Sequence, residues 1–167
     1  KIKAAVGVFH NAMINGDTAV TADGFDGLDK FLVGTTNEIN ADKVIDLSTD
    51  EMITANASTF YEALTKLLND TSAHAIMCNA DMKTKIQTVA RKLGYQTQTE
   101  EAFGRKVTNI DGVRIIDLGN TYDAAGAKTP IINKVNRTVG GSAQTGLTDI
   151  YAVKFDVNDG FHGVTIT

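Results

Sequence analysis

Apolar residues recur at helical spacing in three stretches of this chain, and short apolar or alternating runs lie between and after them. The first stripe is Ile2, Ala5, Val6, Phe9 and Met13. It predicts an amphipathic helix that Asn15-Gly16 ends. The second runs through Ile53, Ala57, Phe60, Leu64 and Leu67 or Leu68, at steps of three and four. Ser48, three residues before Glu51, predicts a capping box at its start, and Asn69-Asp70-Thr71-Ser72 ends it. Weak helix formers at Asn56-Ala57-Ser58-Thr59 leave room for a kink or a late start. The third stripe is Met82, Ile86, Val89 and Leu93. Asn79 is its expected N-cap, Asp81 and the pair Arg91 and Lys92 oppose the two ends of the macrodipole, and Gly94 stops it.

The stretch from Ala73 to Gly119 organises the rest. Ala75-Ile76-Met77-Cys78 reads as a buried strand that hands over to the third helix. A polar connection follows, then two strand-like runs on either side of Asp111-Gly112, a hairpin signal because a tight primed turn needs positive φ. Val44-Ile45-Asp46-Leu47 is a further strand candidate. Asp17 to Asn40 is a Gly-punctuated connector with an apolar knot at Phe25, Leu28, Phe31 and Leu32. From Gly119 to Gly146 the chain is small and polar, which predicts a long loop with one short strand at Ile131-Ile132. Asp149 to Val157 alternates like a half-buried strand, and Asn158-Asp159-Gly160 turns into a last strand, Val164 to Thr167.

The 167 residues suffice for one sizeable domain. With 43% hydrophobic and 22% charged residues the composition is that of an ordinary globular protein. No stretch approaches the roughly 20 apolar residues of a membrane span, and Lys1 to Asn15 lacks the pattern of a signal peptide. The one cysteine, Cys78, excludes an internal disulfide and fits a reducing compartment. A formal charge of −4 argues against a dedicated nucleic-acid binder. The sequons at Asn56, Asn69 and Asn136 stand without a secretory signal and are read as chance.

Catalytic signatures fail on spacing. Gly126-Ala127-Lys128-Thr129 resembles a phosphate loop, but Ala127 separates glycine from lysine and Pro130 blocks the helix that should follow. His10, His74 and His162 are scattered, with His162 beside Asp159 the nearest thing to a ligand fragment. Cys78 sits in an apolar strand as a small hydrophobe, and no Gly-X-Ser-X-Gly elbow exists. Glu100-Glu101 and Asp156 with Asp159 read as solvated carboxylates. Lys83, Lys85, Arg91, Lys92, Arg105 and Lys106 form the densest basic group, without interleaved aromatics. No catalytic, cofactor-binding or metal-ligating residue is therefore assigned.

Several stretches in order carry a resemblance: His74-Ala75-Ile76-Met77-Cys78-Asn79, the helix ending Leu93-Gly94-Tyr95, Ala102-Phe103-Gly104-Arg105-Lys106-Val107, and Asp111-Gly112-Val113-Arg114-Ile115-Ile116-Asp117-Leu118-Gly119. Ile14-Asn15-Gly16-Asp17, Gly24-Phe25-Asp26-Gly27-Leu28, Gly146 to Val153 and Asp159 to Val164 add to it. Together they are similar to the major capsid proteins of tailed bacteriophages, which have the Hong Kong 97-type shell fold.

The resemblance implies an α+β fold. Residues 1–16 would be the C-terminal end of the spine helix of the peripheral domain. Residues 17–167 would be an axial-domain unit, a central sheet flanked by helices, with the 119–146 segment at the centre of each capsomer. It implies truncation at both ends, and a fragment that is monomeric or weakly associated. The function implied is structural: a subunit of an icosahedral phage or prophage shell around double-stranded DNA, assembled in the bacterial cytoplasm. Its partners would be other copies of itself in pentamers and hexamers, with scaffold, portal and maturation protease. Neither a membrane nor sequence-specific nucleic-acid binding is implied, and no cofactor. An encapsulin-type nanocompartment shell shares the fold. A small cytoplasmic α/β enzyme with the 119–146 segment as a lid, or a binding module, are the readings from other classes.

Overall fold

The computed structural model describes residues 2–39, 43–95, 98–102 and 105–161. Its elements in chain order are α1 (Ile2–Asn15), α2 (Leu28–Leu32), α3 (Asp50–Thr71), β1 (Ala75–Cys78), α4 (Ala80–Lys92), β2 (Gln98–Ala102), β3 (Arg105–Ile110), β4 (Val113–Asp117), β5 (Asn120–Tyr122), β6 (Lys128–Pro130), β7 (Val135–Val139), β8 (Ser142–Leu147) and β9 (Tyr151–Val153). The class is α+β. Two compact units divide the chain: a hairpin unit within Lys1–Val44 and Leu118–Asp149, and a helix–sheet unit within Ile45–Asp117 and Ile150–Thr167. This line is not the one drawn from the family resemblance at Gly16, because the chain returns after β4 to the company of its first residues.

The helix–sheet unit is a five-stranded sheet in the order β2-β3-β4-β1-β9. β1 pairs in parallel with β4, from Ala75↔Arg114 to Cys78↔Asp117, and antiparallel with β9. All four β1 residues are buried, so this strand reads as an unbroken apolar run and not as an alternation. α3 buries Ile53, Ala57, Phe60, Leu64 and Leu68, and α4 buries Ile86, Val89 and Ala90. These residues share one core with Ile76, Cys78, Ile110 and Ile115 of the sheet. At about 1.5–3 kcal/mol for each fully buried aliphatic side chain, this shared core outweighs any cap in the unit.

Local chemistry fixes the ends of these elements. The Asn79 side chain accepts the Met82 N–H at 2.8 Å and caps α4. Asp111 and Gly112 have φ of 50° and 78°, and the ladder closes between Ile110 and Val113. That is a two-residue hairpin with both central residues left-handed. Two expectations are corrected here. Thr49, not Ser48, caps α3 and accepts the Met52 N–H at 3.3 Å, because the Ser48 N–H is already held by the Asp46 carboxylate at 2.8 Å. Residues 43–47 form no strand; Leu47 is buried in the core from an irregular segment. α3 runs on through Asn56 to Thr71, and Ser72 ends it with φ 48°.

Two other differences concern strands. β2, which pairs with β3, lies at the sheet edge within what reads as a polar connection. The strand expected over Asp149 to Val157 is shorter: only Tyr151–Val153 pairs with β1, while Phe155 and Val157 are exposed. The last expected strand, Val164 to Thr167, lies outside the described residues.

In the hairpin unit, α1 buries Gly7, Met13 and Ile14 and leaves Val6 and Phe9 exposed. Of the expected stripe Met13 lies on the packed face, while Ala5, Val6 and Phe9 do not. Gly7 is the reason: a Cβ there would stand 3.2 Å from the Asn120 carbonyl oxygen, so its lack of a side chain lets β5 lie against the helix. Leu118, Ile131 and Ile132 complete the buried set, and the Asn15 side chain donates to the Ile131 carbonyl at 2.8 Å. The aromatic members of the expected knot, Phe25 and Phe31, are exposed.

The 119–146 segment is not one long loop. It forms two antiparallel hairpins, β5–β6 and β7–β8, joined through Ile131 and Ile132, which are buried without being a strand. The sequence conceals these ribbons because no residue of β5 to β8 is fully buried, and only β7 alternates, with half-buried Val135, Arg137 and Val139 against exposed Asn136 and Thr138.

Candidate functional site

Three polar constellations stand out, each within one unit. The first centres on Arg137 of β7. Its guanidinium donates to both oxygens of Asp149, at 3.1 and 2.8 Å, and lies 3.7 Å from Glu38 and 3.9 Å from Asp29. Glu38 also accepts the Gly34 N–H at 2.8 Å. One cation therefore ties the connector after α2 to the β7–β8 hairpin. Burial raises the Asp149 pKa above the ordinary carboxylate value, against the pull of Arg137.

The second joins Asp17, Asp26 and Lys30. The Lys30 ammonium bonds Asp17 at 2.5 Å and Asp26 at 2.9 Å, and Thr18 donates its N–H and hydroxyl to Asp26, each at 2.9 Å. The Thr18 N–H, the Lys30 ammonium and the Thr18 hydroxyl bring the Asp26 pKa down to about 2. Beneath it the backbone crosses itself at two glycines, with Gly27 N–H on the Gly16 carbonyl at 2.8 Å.

The third is in the helix–sheet unit. Tyr61 of α3 stacks on Tyr95, with ring centroids 4.6 Å apart and 12° between planes. Its hydroxyl donates to the Asp111 carboxylate, 2.8 Å from each oxygen. Burial first, and Asp111 second, push the Tyr61 phenol up to about 12. The tyrosine pins the hairpin turn to the helix.

The groups weighed in the sequence are placed apart. Gly126-Ala127-Lys128-Thr129 is the far side of the β5–β6 turn, where the Asp123 carboxylate accepts the Ala127 N–H at 2.8 Å. His10 Nδ1 is 3.4 Å from the Leu118 carbonyl oxygen. His74 Nδ1 accepts the Phe155 N–H at 3.3 Å while the His74 backbone N–H donates to the Val153 carbonyl at 2.8 Å, so it clips the end of β9. His162 lies outside the described residues, as do the Glu100 and Glu101 side chains and those of Arg105 and Lys106. Burial pushes the Cys78 thiol up to about 12, far from a reactive thiolate.

The carboxylates and cations are likewise engaged locally. Asp156 accepts the N–H groups of Asn158 and Asp159 in a turn, and Asp159 pairs with Lys154 at 2.8 Å. Lys85 donates to the Ser48 carbonyl, Arg91 to its own helix, and Lys92 to Thr54 with Asp50 beside it. Of the sequons, Asn56 donates to the Asp46 carbonyl and Asn136 accepts the Gly146 N–H, which fixes both side chains within the fold.

Among the described residues no group of three or more His, Cys, Asp or Glu side chains is placed to hold a metal ion. No described helix is long and apolar enough to cross a membrane. Sequence reasoning missed Arg137, Lys30 and Tyr61. Each finds partners far along the chain, and only the i, i+4 spacing of Asp26 and Lys30 was visible beforehand. No protein-family model matches the chain, and no curated protein or solved structure matches it.

Proposed function

We propose that this chain is a portion of a Hong Kong 97-type major capsid protein, a structural subunit that tiles with copies of itself into an icosahedral shell around double-stranded DNA. The observation that carries the reading is the architecture of the helix–sheet unit. A mixed sheet with α3 and α4 packed on it is interrupted between β4 and β9 by the Leu118–Asp149 excursion with its two hairpins. A sheet with helices packed on it supports the reading, since the resemblance implies a central sheet flanked by helices. The segment buries Ile131 and Ile132 and leaves the residues of both hairpins exposed or half-exposed, as a part that meets other copies requires.

In this reading function is geometric. Repeated head-to-tail contacts close when the rotation between neighbours closes, and many modest contacts per subunit add through multivalency. The charge constellations have their place as braces that keep small polar hairpins in one shape. The same reading covers an encapsulin-type shell, which differs in cargo and not in subunit architecture.

The test is electron microscopy and sedimentation of the full open reading frame that encodes these residues. Uniform closed shells, absent when the 167-residue segment is expressed alone, are the expected result. A discrete small species under every assembly condition overturns the proposal and moves attention to ligand binding.

A further inference from the structure

Five dipeptides in this chain place Asp or Asn before Gly: Asn15-Gly16, Asp23-Gly24, Asp26-Gly27, Asp111-Gly112 and Asp159-Gly160. Such pairs are chemically labile, because the unhindered glycine nitrogen can attack the side-chain carbonyl carbon of the preceding residue. Whether it does so depends on how free both groups are. In three of the five the glycine N–H is engaged by a carbonyl oxygen: Gly16 by Ala12 at 2.9 Å, Gly24 by Thr21 at 2.9 Å, and Gly27 by Gly16 at 2.8 Å. Gly160 is crowded, since a Cβ there would stand 2.6 Å from both Asp156 N and Lys154 O. The Asn15 side chain also donates to Asn11 and Ile131, and the Asp26 carboxylate is held by Thr18 and Lys30.

Gly112 differs from all of them. The β3–β4 ladder closes between Ile110 and Val113, so the Gly112 nitrogen takes no part in it. A Cβ built on it would meet nothing within 4 Å beyond its chain neighbours. The remaining restraint is on the electrophile, where the Tyr61 hydroxyl lies 2.8 Å from both Asp111 oxygens. That bond holds the carboxylate toward α3 and so restrains the turn of Cγ that an attack by the Gly112 nitrogen needs.

We propose that Asp111-Gly112 is the site at which this chain spontaneously forms isoaspartate, and that the Tyr61 hydroxyl sets the rate. The Gly112 nitrogen bonds to Cγ of Asp111 in its acid form, and the carboxyl hydroxyl leaves as water with the nitrogen's proton, which gives a five-membered succinimide. Water then adds at the main-chain carbonyl carbon of Asp111 and breaks its bond to the nitrogen. The chain now runs through the side-chain carboxyl, with no net change in atoms and no redox step. The product carries an extra backbone methylene inside a two-residue turn, which breaks the Ile110↔Val113 closure and disturbs β4 beside β1.

The experiment ages the folded chain at neutral pH and maps isoaspartate by electron-transfer fragmentation, with methyl transfer from S-adenosylmethionine by a repair methyltransferase as the second probe. The expected result is a lesion concentrated at residue 111 that rises several-fold in Tyr61→Phe, which keeps the ring stack. Tyr95→Leu separates the bond from mere loosening, since it removes the stack and leaves the hydroxyl. A small change there supports the proposal. Isoaspartate spread over all five dipeptides, an unchanged rate in Tyr61→Phe, or equal rises in both variants overturns it.

Discussion

The two units of this chain are held together by different means. The helix–sheet unit holds most of the buried apolar residues of the described chain, on two helices and a sheet that face one another. The hairpin unit buries Met13, Ile14, Leu118, Ile131 and Ile132, and exposes Val8, Phe9, Val20, Phe25 and Phe31. Its loops are braced instead by Arg137 with three carboxylates and by Lys30 with two. Close packing has no substitute position, so damage to the first unit is global. Charge clasps are local, and their loss opens one segment at a time.

The largest effect expected is therefore in the helix–sheet unit. Ile86→Ala removes a fully buried side chain at the contact of α4 with the core and should cost about 2–5 kcal/mol, read as a lower denaturant midpoint for the unit's cooperative transition. A change under about 1 kcal/mol would mean the core is looser than its burial implies. In the hairpin unit, Arg137→Met leaves three carboxylates without their cation. A loss of about 1–3 kcal/mol is expected, less than for a fully buried pair because both partners keep some solvent contact. Amide exchange should rise in residues 29–39 and 135–149 while β1 and α4 stay protected. Faster exchange in β1 would erase the distinction between the units.

Gly27→Ala tests the backbone crossing, where the added Cβ would stand 2.4 Å from the Ile14 carbonyl oxygen. Overpacking of this kind costs about 1–3 kcal/mol, and limited proteolysis after α1 should detect it. The smallest effect sought is in pH dependence, where two carboxylates of the same unit have opposite signs. Asp26 is depressed from 3.8 to about 2 in the fold, so its stabilisation is present above 3.8 and is lost as pH falls through about 2. Exchange at the Thr18 amide should report that loss, and Lys30→Met should move it to higher pH. Asp149 has a raised pKa. Its ionised form weakens the fold above that value, and the penalty is relieved as pH falls toward 3.8.

The same contrast governs what could be read beforehand. α3, β1, α4 and the Asp111-Gly112 hairpin were legible because one-sided burial writes a period of 3.6 or an unbroken apolar run into the sequence, and because caps and primed turns demand particular residues. β5 to β8 were not, since a two-stranded ribbon without a buried residue needs only backbone partners. Phe9 and Val6 misled for a related reason: they make a good stripe, but Gly7 decides which face β5 can approach. Ser48 gives its N–H to the Asp46 carboxylate, and Thr49 takes the cap instead. The clasps at Arg137 and Lys30, and the Tyr61 pin, depend on which loops meet, and that information is not local.

The position of β9 has a kinetic consequence. β1, α4 and the β2–β3–β4 meander are contiguous in the chain, so their contacts close short loops and can form early. β9 reaches its place beside β1 only after the whole Leu118–Asp149 excursion has been accommodated. Such pairings of high contact order form late. The equilibrium penalty for that excursion grows only with the logarithm of its length, about 0.6 kcal/mol for each doubling. Residues added at the exposed hairpin turns of the excursion should therefore change final stability little, while the moment at which the sheet acquires its last strand shifts with every residue added.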